Sequence, residues 1–267
     1  MIIIGEKING TIPIVKQAIE ARDAEFIRKR AIDQTNDGAD FLDVSASTTP
    51  DIEVETLKWL MEVIQDAVET PLCIDSPNPH AIEAVFKYAQ RPGLINSVSM
   101  EGDKCDVIYP LIQGTTWEVI ALTCDNDGIP KDVDTRVRIA KEMVEKAAEY
   151  GITPDRIHID PLVIALATDN KSMYSFQESM TRIKELYPTI KITSGLSNIS
   201  FGMPLRKVVN QNFLTLATFF GMDSAIMDPC SRDMIATLLA TEALMGKDRN
   251  CRKFSTAFRQ GKIGPVK

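Results

Sequence analysis

Histidine is nearly missing from this chain of 267 residues, which carries His80 and His158 and no other. The five cysteines, Cys73, Cys105, Cys124, Cys230 and Cys251, are odd in number and contain no C-x-x-C pair. Neither a disulfide framework nor a zinc site is indicated, and no protein-bound metal is expected. Cys73 and Cys124 lie in apolar runs and read as small core residues. Cys230 stands just before a helix, where a lowered thiol pKa is conceivable, although the core reading is favoured there too. Positive charge is in deficit: 30 Lys+Arg against 37 Asp+Glu give a net charge of -7. A polyanionic duplex or membrane surface is repelled on average, so no nucleic acid and no membrane partner is expected. No apolar run approaches the roughly 18 residues of a membrane span. The opening Met1-Ile2-Ile3-Ile4-Gly5-Glu6 meets a charge too early for a signal peptide, and a cytoplasmic location is expected. Gly/Ser linkers, long repeats and charge blocks are also lacking, which predicts one domain over 1–267. The basic tail from Lys247 to Lys267 reads as a solvated helix and chain end, with contact to an acidic partner as the sharper alternative.

What the chain does have is a polar residue at or just past nearly every short apolar run. Glu6 and Asn9 follow Ile2-Ile3-Ile4, Asp43 follows Phe41-Leu42, Asp75 follows Leu72-Cys73-Ile74, and Asn96 follows Leu94-Ile95. Thr123, Asp160, Asn198 and Asp228 end later runs, Asn198 coming after Gly195-Leu196. Such runs suit strands buried on both faces, and parallel strands open their carboxyl ends on one side. Helical spacing fills the intervals, as parallel crossovers require. Examples are Leu57, Leu60, Met61, Ile64 and Val68, and then Val137, Ala140, Met143, Val144 and Ala147, closed by Gly151. A third helix is predicted from Ser231 as N-cap to Gly246. About eight strand-helix pairs fit this length, which predicts a single (β/α)₈ TIM barrel of the α/β class with its site at the strands' carboxyl face. A doubly wound sheet is the alternative, but Gly5 and Gly10 flank Glu-Lys-Ile-Asn, not a dinucleotide fingerprint.

A mouth of carboxylates and carboxamides suits a neutral heterocycle rich in N–H donors and ring acceptors. The amidine-like edge of a pterin is one such group. Mg²⁺ and sugars are also held by carboxylate-rich mouths, and the chemistry alone leaves these open.

Seven blocks, in order along the whole chain, resemble the pterin-binding methyltransferase family. They are Gly5-Glu6-Lys7-Ile8-Asn9-Gly10, Leu42-Asp43-Val44, Cys73-Ile74-Asp75-Ser76, Ile95-Asn96-Ser97, Gly128-Ile129-Pro130-Lys131-Asp132, Ile159-Asp160-Pro161-Leu162, and the longest, Gly195-Leu196-Ser197-Asn198-Ile199-Ser200-Phe201-Gly202-Met203-Pro204-Leu205-Arg206. The resemblance is greatest to stand-alone methyltetrahydrofolate:corrinoid protein methyltransferases and extends to the folate module of cobalamin-dependent methionine synthase. It implies a TIM barrel that moves a methyl group between N5 of tetrahydrofolate or 5-methyltetrahydrofolate and the cobalt of a corrinoid (cobalamin) on a separate partner protein. It implies that Asp75, Asn96 and Asp160 hold the pterin, with Asp43 and Ser97 in the same ring, and that Asn198 approaches N5 as the catalytic residue. A homodimer is implied as well. The direction of transfer is left open.

Each residue also has a plainer role to test. Asp43 and Asp75 could cap the following helices, Asp160 could fix the turn at Pro161, and Asn96 and Asn198 could satisfy strand-end amides. Glu6 and Asn9 are expected to close the first loop, and Arg206 either to hold the loop after Asn198 or to meet the folate tail. Ser45 replaces an Asn that many stand-alone members carry, so one pterin or water contact is altered. Dihydropteroate synthases share the barrel and pocket, but this chain lacks their Ser-Arg-Lys and Arg-x-His blocks. A non-catalytic folate-binding module would be expected to lose Asn198 or the aspartates, and all are present.

Overall fold

The apolar runs form eight short strands in a computed structural model that describes residues 1–265; Val266 and Lys267, the end of the basic tail, lie outside the described residues. The strands are β1 Ile2–Asn9, β2 Phe41–Ser45, β3 Leu72–Asp75, β4 Leu94–Met100, β5 Glu118–Asp125, β6 Ile157–Asp160, β7 Lys191–Ile192 and β8 Ser224–Met227. Every pairing is parallel and follows chain order, with β8 beside β1. The remaining seam, between β7 and β8, is stitched by Asp223 N–H to Ile192 O at 2.9 Å and Ile226 N–H to Ser194 O at 3.0 Å. The sheet therefore closes on itself, as expected, and the open-sheet alternative falls.

Helices cover the outside because their apolar stripes need the strands' outer faces. Pro50–Gln65 buries Leu57, Leu60, Met61 and Ile64, the spacing seen in the sequence; Val68 packs just beyond its end. Val133–Glu149 starts where Asp132 accepts a bond from Thr135 N–H at 2.8 Å and ends before Gly151 at φ 69°, which a side chain would strain. Ser231 does precede the helix Arg232–Leu244, but its hydroxyl caps nothing.

Alternation along each strand sets the barrel interior in layers. Ile4, Cys73, Leu94 and Ile120 form a small buried cluster, packed by Phe41, Leu122 and Ile226, apart from the large core under the helices. Two residues further along these strands stand Glu6, Asp43, Asp75, Asn96 and Asp228, and Asp160 stands two beyond the inward His158. Two residues before Ile120 and Ile226 of the apolar layer lie Glu118 and Ser224, which meet His158: its Nε2 is 2.6 Å from Glu118 Oε2 and its Nδ1 is 2.8 Å from Ser224 Oγ. The barrel thus has a polar base, an apolar middle and a carboxylate-rich mouth.

Candidate active site

The apolar layer is the floor of the mouth, and it keeps water from the carboxyls above it. Burial pushes Asp43 well above the ordinary carboxyl range, the nearby Asp75 charge adds to this, and Asn96 opposes it by donating from Nδ2 to Asp43 Oδ1 at 3.1 Å. Burial likewise raises Asp75 to about 6, against a lowering hydrogen bond from Ser45 and with further repulsion from Glu53. Asp160 is raised to about 6 by burial, moderated by the N–H groups of Leu162 at 2.8 Å and Gly195 at 3.4 Å and by the charge of Arg136. Perturbed carboxyls gathered at the carboxyl ends of neighbouring strands mark a candidate functional site.

The plainer roles divide. Asp75 does not cap the next helix, because Asn78 does, accepting from His80 N–H at 3.1 Å. Asp43 faces Asn96 across β3 and caps nothing. Asp160 does fix the turn through Leu162 while its second oxygen faces Gly195. Asn9 closes the first loop by accepting from Thr11 N–H at 2.9 Å and from Ser47. Thr123 donates to Asp160 O at 3.3 Å, and Asp228 pairs with Lys7 at 3.1 Å and accepts from Cys230 N–H, which are structural uses. Arg206 holds the loop through Ser197 O at 3.0 Å and Ser200 Oγ at 3.1 Å. Ser97 follows Asn96 in β4 and is half-buried; Ser45 lies beside Asp75 and 3.1 Å from Ser47 Oγ. The thiol of Cys230 is not activated: burial and its bond to Asp37 push it up to about 12.

Asn198 sits at the rim in a short 3-10 turn, Leu196–Ser200. The strand before it is Lys191–Ile192 rather than Gly195-Leu196, since Thr193 and Ser194 are buried polar residues that break the apolar run. Its carboxamide is exposed and packs on Gly195 so closely that a Cβ there would lie 2.8 Å from Asn198 Nδ2. Two features escaped the sequence. Glu6 turns into the mouth beside a cavity of about 320 Å³ instead of serving the loop, and the alternation from Ile4 was the available signal. Arg136 is fully buried behind Asp160, bonded to Pro130 O at 3.2 Å.

Among known proteins, a model of the family described as pterin binding enzyme matches residues 9–228. The chain is 60% identical over 268 aligned positions to a methylcorrinoid:tetrahydrofolate methyltransferase of Eubacterium limosum, covering 100% of this chain and 99% of that one. It is 30% identical over 240 residues to the methionine synthase of Mycobacterium tuberculosis, covering 85% of this chain but only 20% of that protein. In solved structures, the dihydropteroate synthase of Xanthomonas albilineans in complex with 7,8-dihydropteroate superposes with a TM-score of 0.67 at 19% identity, over 91% of this chain and 92% of that one; this likeness shows the barrel alone. With the mouth chemistry and the full-length match agreeing, the chain belongs to the pterin binding enzyme family.

Proposed function

We propose that this protein transfers a methyl group between the cobalt of a corrinoid on a separate protein and N5 of tetrahydrofolate, running from methylcorrinoid to folate. The observation that carries the reading is the layered mouth: Asp75, Asp160 and the Asp43–Asn96 pair standing over an apolar floor, with Asn198 free at the rim. A pterin slotted edge-on offers its 2-amino group and N3–H to carboxylates and its ring nitrogens and carbonyl to a carboxamide. Asp75, Asn96 and Asp160 are assigned to that edge, with Asp43 and Ser97 beside them. The 60% identity to an enzyme named for this reaction supports the direction.

In the reaction the N5 lone pair attacks the methyl carbon and the cobalt–carbon pair stays on cobalt, giving Co(I). Positive charge develops at N5, and the Asn198 carboxamide oxygen accepts a bond from N5–H that strengthens as it does, which is where a hydrogen bond accelerates rather than merely binds. No nucleophile from this chain is needed. The corrinoid is a substrate delivered by its partner; among the described residues no group of three metal-ligating side chains is present. The dihydropteroate synthase alternative rests on a likeness at 19% identity that shows the barrel alone, and a silent folate-binding module leaves the exposed Asn198 without a task.

The same reading includes a homodimer in the cytosol. The helix Arg206–Phe220 exposes Val208, Leu216, Phe219 and Phe220, and its neighbour exposes Leu244, an apolar face suited to a second copy. Five free cysteines suit a reducing compartment, and no described helix is long and apolar enough to cross a membrane. Calorimetry with tetrahydrofolate in the presence of a chelator tests the pocket: micromolar or tighter binding is expected, and none would sink the pterin assignment. Sedimentation of wild type against Phe219→Glu should convert a dimer to a monomer.

A further inference from the structure

Glu6 lies in the mouth layer, two residues beyond the inward Ile4, where β1 shifts register against β2. Its carboxyl opens on the cavity of about 320 Å³, whose wall also includes Ser197, next to Asn198. The charges around it are Lys7 on its own strand, Asp43 from β2, Asp228 past β8, and Arg206 and Lys207 at the start of the following helix. Each cation is spent elsewhere: Lys7 on Asp228, Arg206 on Ser197 and Ser200, and Lys207 on Asp233. Asn210, on the same wall, has a buried Oδ1 with no partner, so the cavity has a vacant acceptor where a donor such as water fits. Glu6 therefore feels Lys7 and Arg206 only at a distance, without a direct ion pair, and borders a polar cavity that leads to solvent.

Methylation of N5 releases a proton that the corrinoid does not take up. N5 begins as a secondary amine, R₂N–H; its lone pair forms the new N–CH₃ bond, and the N–H bond must then break to leave a neutral tertiary amine. Asp75 and Asp160 are both assigned to the pterin edge, and Asp160 already accepts from two backbone N–H groups. Resting on the methyl-transfer reading above, we propose that Glu6 accepts the N5 proton through the cavity beside Ser197 and passes it to solvent, and returns a proton to N5 when the reaction runs backward. Burial, opposed by Lys7, brings its carboxyl up to about 7, so both protonation states are populated near neutrality, where a proton carrier works best.

The test compares wild type, Glu6→Gln and Glu6→Asp in methyl transfer from a methylated corrinoid protein to tetrahydrofolate across pH 5 to 9, with folate affinity from calorimetry and the glutamate ¹³C carboxyl resonances titrated by NMR. Wild type should show a rate inflection near pH 7 matched by one carboxyl resonance that is missing from Glu6→Gln. In Glu6→Gln the rate at pH 7 should fall about a hundredfold and the inflection vanish, with the folate dissociation constant within about twofold of wild type. Glu6→Asp, which keeps a titratable group, should restore part of the rate and the inflection. A wild-type pH profile in folded Glu6→Gln, or no carboxyl titrating near neutrality, overturns the role of Glu6 and leaves the methyl-transfer reading standing. Wild-type protein that neither binds folate nor transfers methyl overturns the reading itself.

Discussion

Replacing Asp75 by Asn should make the empty protein more stable and the folate complex weaker. Burial raises this carboxyl from 3.8 to about 6, which means the folded state resists its ionisation. At about 1.4 kcal/mol per pH unit, that is a penalty of about 3 kcal/mol on the folded protein once the group is charged. Solvent reaching the half-exposed mouth screens part of it, leaving about 1–2 kcal/mol. Because the folded value is raised, the stability is whole below pH 3.8 and is lost as pH rises through about 6. The gain from Asp75→Asn therefore appears above pH 6 and fades toward pH 4. For a domain of this size it corresponds to roughly 2–4 °C in melting temperature at pH 8. Folate binding should move the other way, by about 2–3 kcal/mol or roughly 30- to 150-fold, as the ionised acceptor for the pterin edge is lost. Scanning fluorimetry at pH 4 and pH 8 and calorimetry at pH 8 read both effects. A melting temperature that drops at pH 8, or an unchanged affinity, would return Asp75 to a structural role.

Asn198→Ala should slow methyl transfer by about tenfold to a thousandfold while changing folate affinity much less; equal losses in rate and affinity would make Asn198 a binding residue only. Gly195→Ala should act in the same direction, since the added Cβ would displace the Asn198 carboxamide from 2.8 Å, and stopped-flow transfer rates decide it. Folate affinity of the wild type should fall below pH 6 as Asp75 and Asp160, both raised to about 6, take up protons; a flat affinity from pH 8 to pH 5 would contradict their assignment. At the barrel base, burial opposes ionisation of Glu118 but its bonds to His158 and Lys191 win and bring it down to about 2. Its stabilisation is present above pH 4.5 and lost as pH falls toward 2, so Glu118→Gln should cost about 2 kcal/mol at pH 7 and much less at pH 3, read by urea unfolding.

The barrel could be read from the sequence because its signals are local. Leu57, Leu60, Met61 and Ile64 sit at helical spacing, and Leu72-Cys73-Ile74 forms a continuous run ending in Asp75, so each element announces itself within a few residues. β7 did not, because two residues of strand followed by buried Thr193 and Ser194 carry too little apolar pattern to stand out. The mouth aspartates and asparagines were legible as strand-end polar residues, yet what they do to one another depends on register. Asn96 reaches Asp43 across an intervening strand, and nothing in the spacing of residues 53 apart specifies that bond. The same holds for His158, whose partners Glu118 and Ser224 lie 40 and 66 residues away. Glu6 differs from the expected loop residue for another reason: β1 continues to Asn9, which sets Glu6 on the same face as Ile4.

The most direct measurement mixes the purified protein with a methylated corrinoid protein and tetrahydrofolate under anaerobic conditions. Co(I) absorbance and 5-methyltetrahydrofolate are followed together, beside a parallel assay for dihydropteroate formed from a dihydropterin diphosphate and 4-aminobenzoate. The account predicts Co(I) and 5-methyltetrahydrofolate appearing in equal amounts, and no dihydropteroate. Dihydropteroate formation without methyl transfer, or tetrahydrofolate that binds but never gains the methyl group, would contradict it.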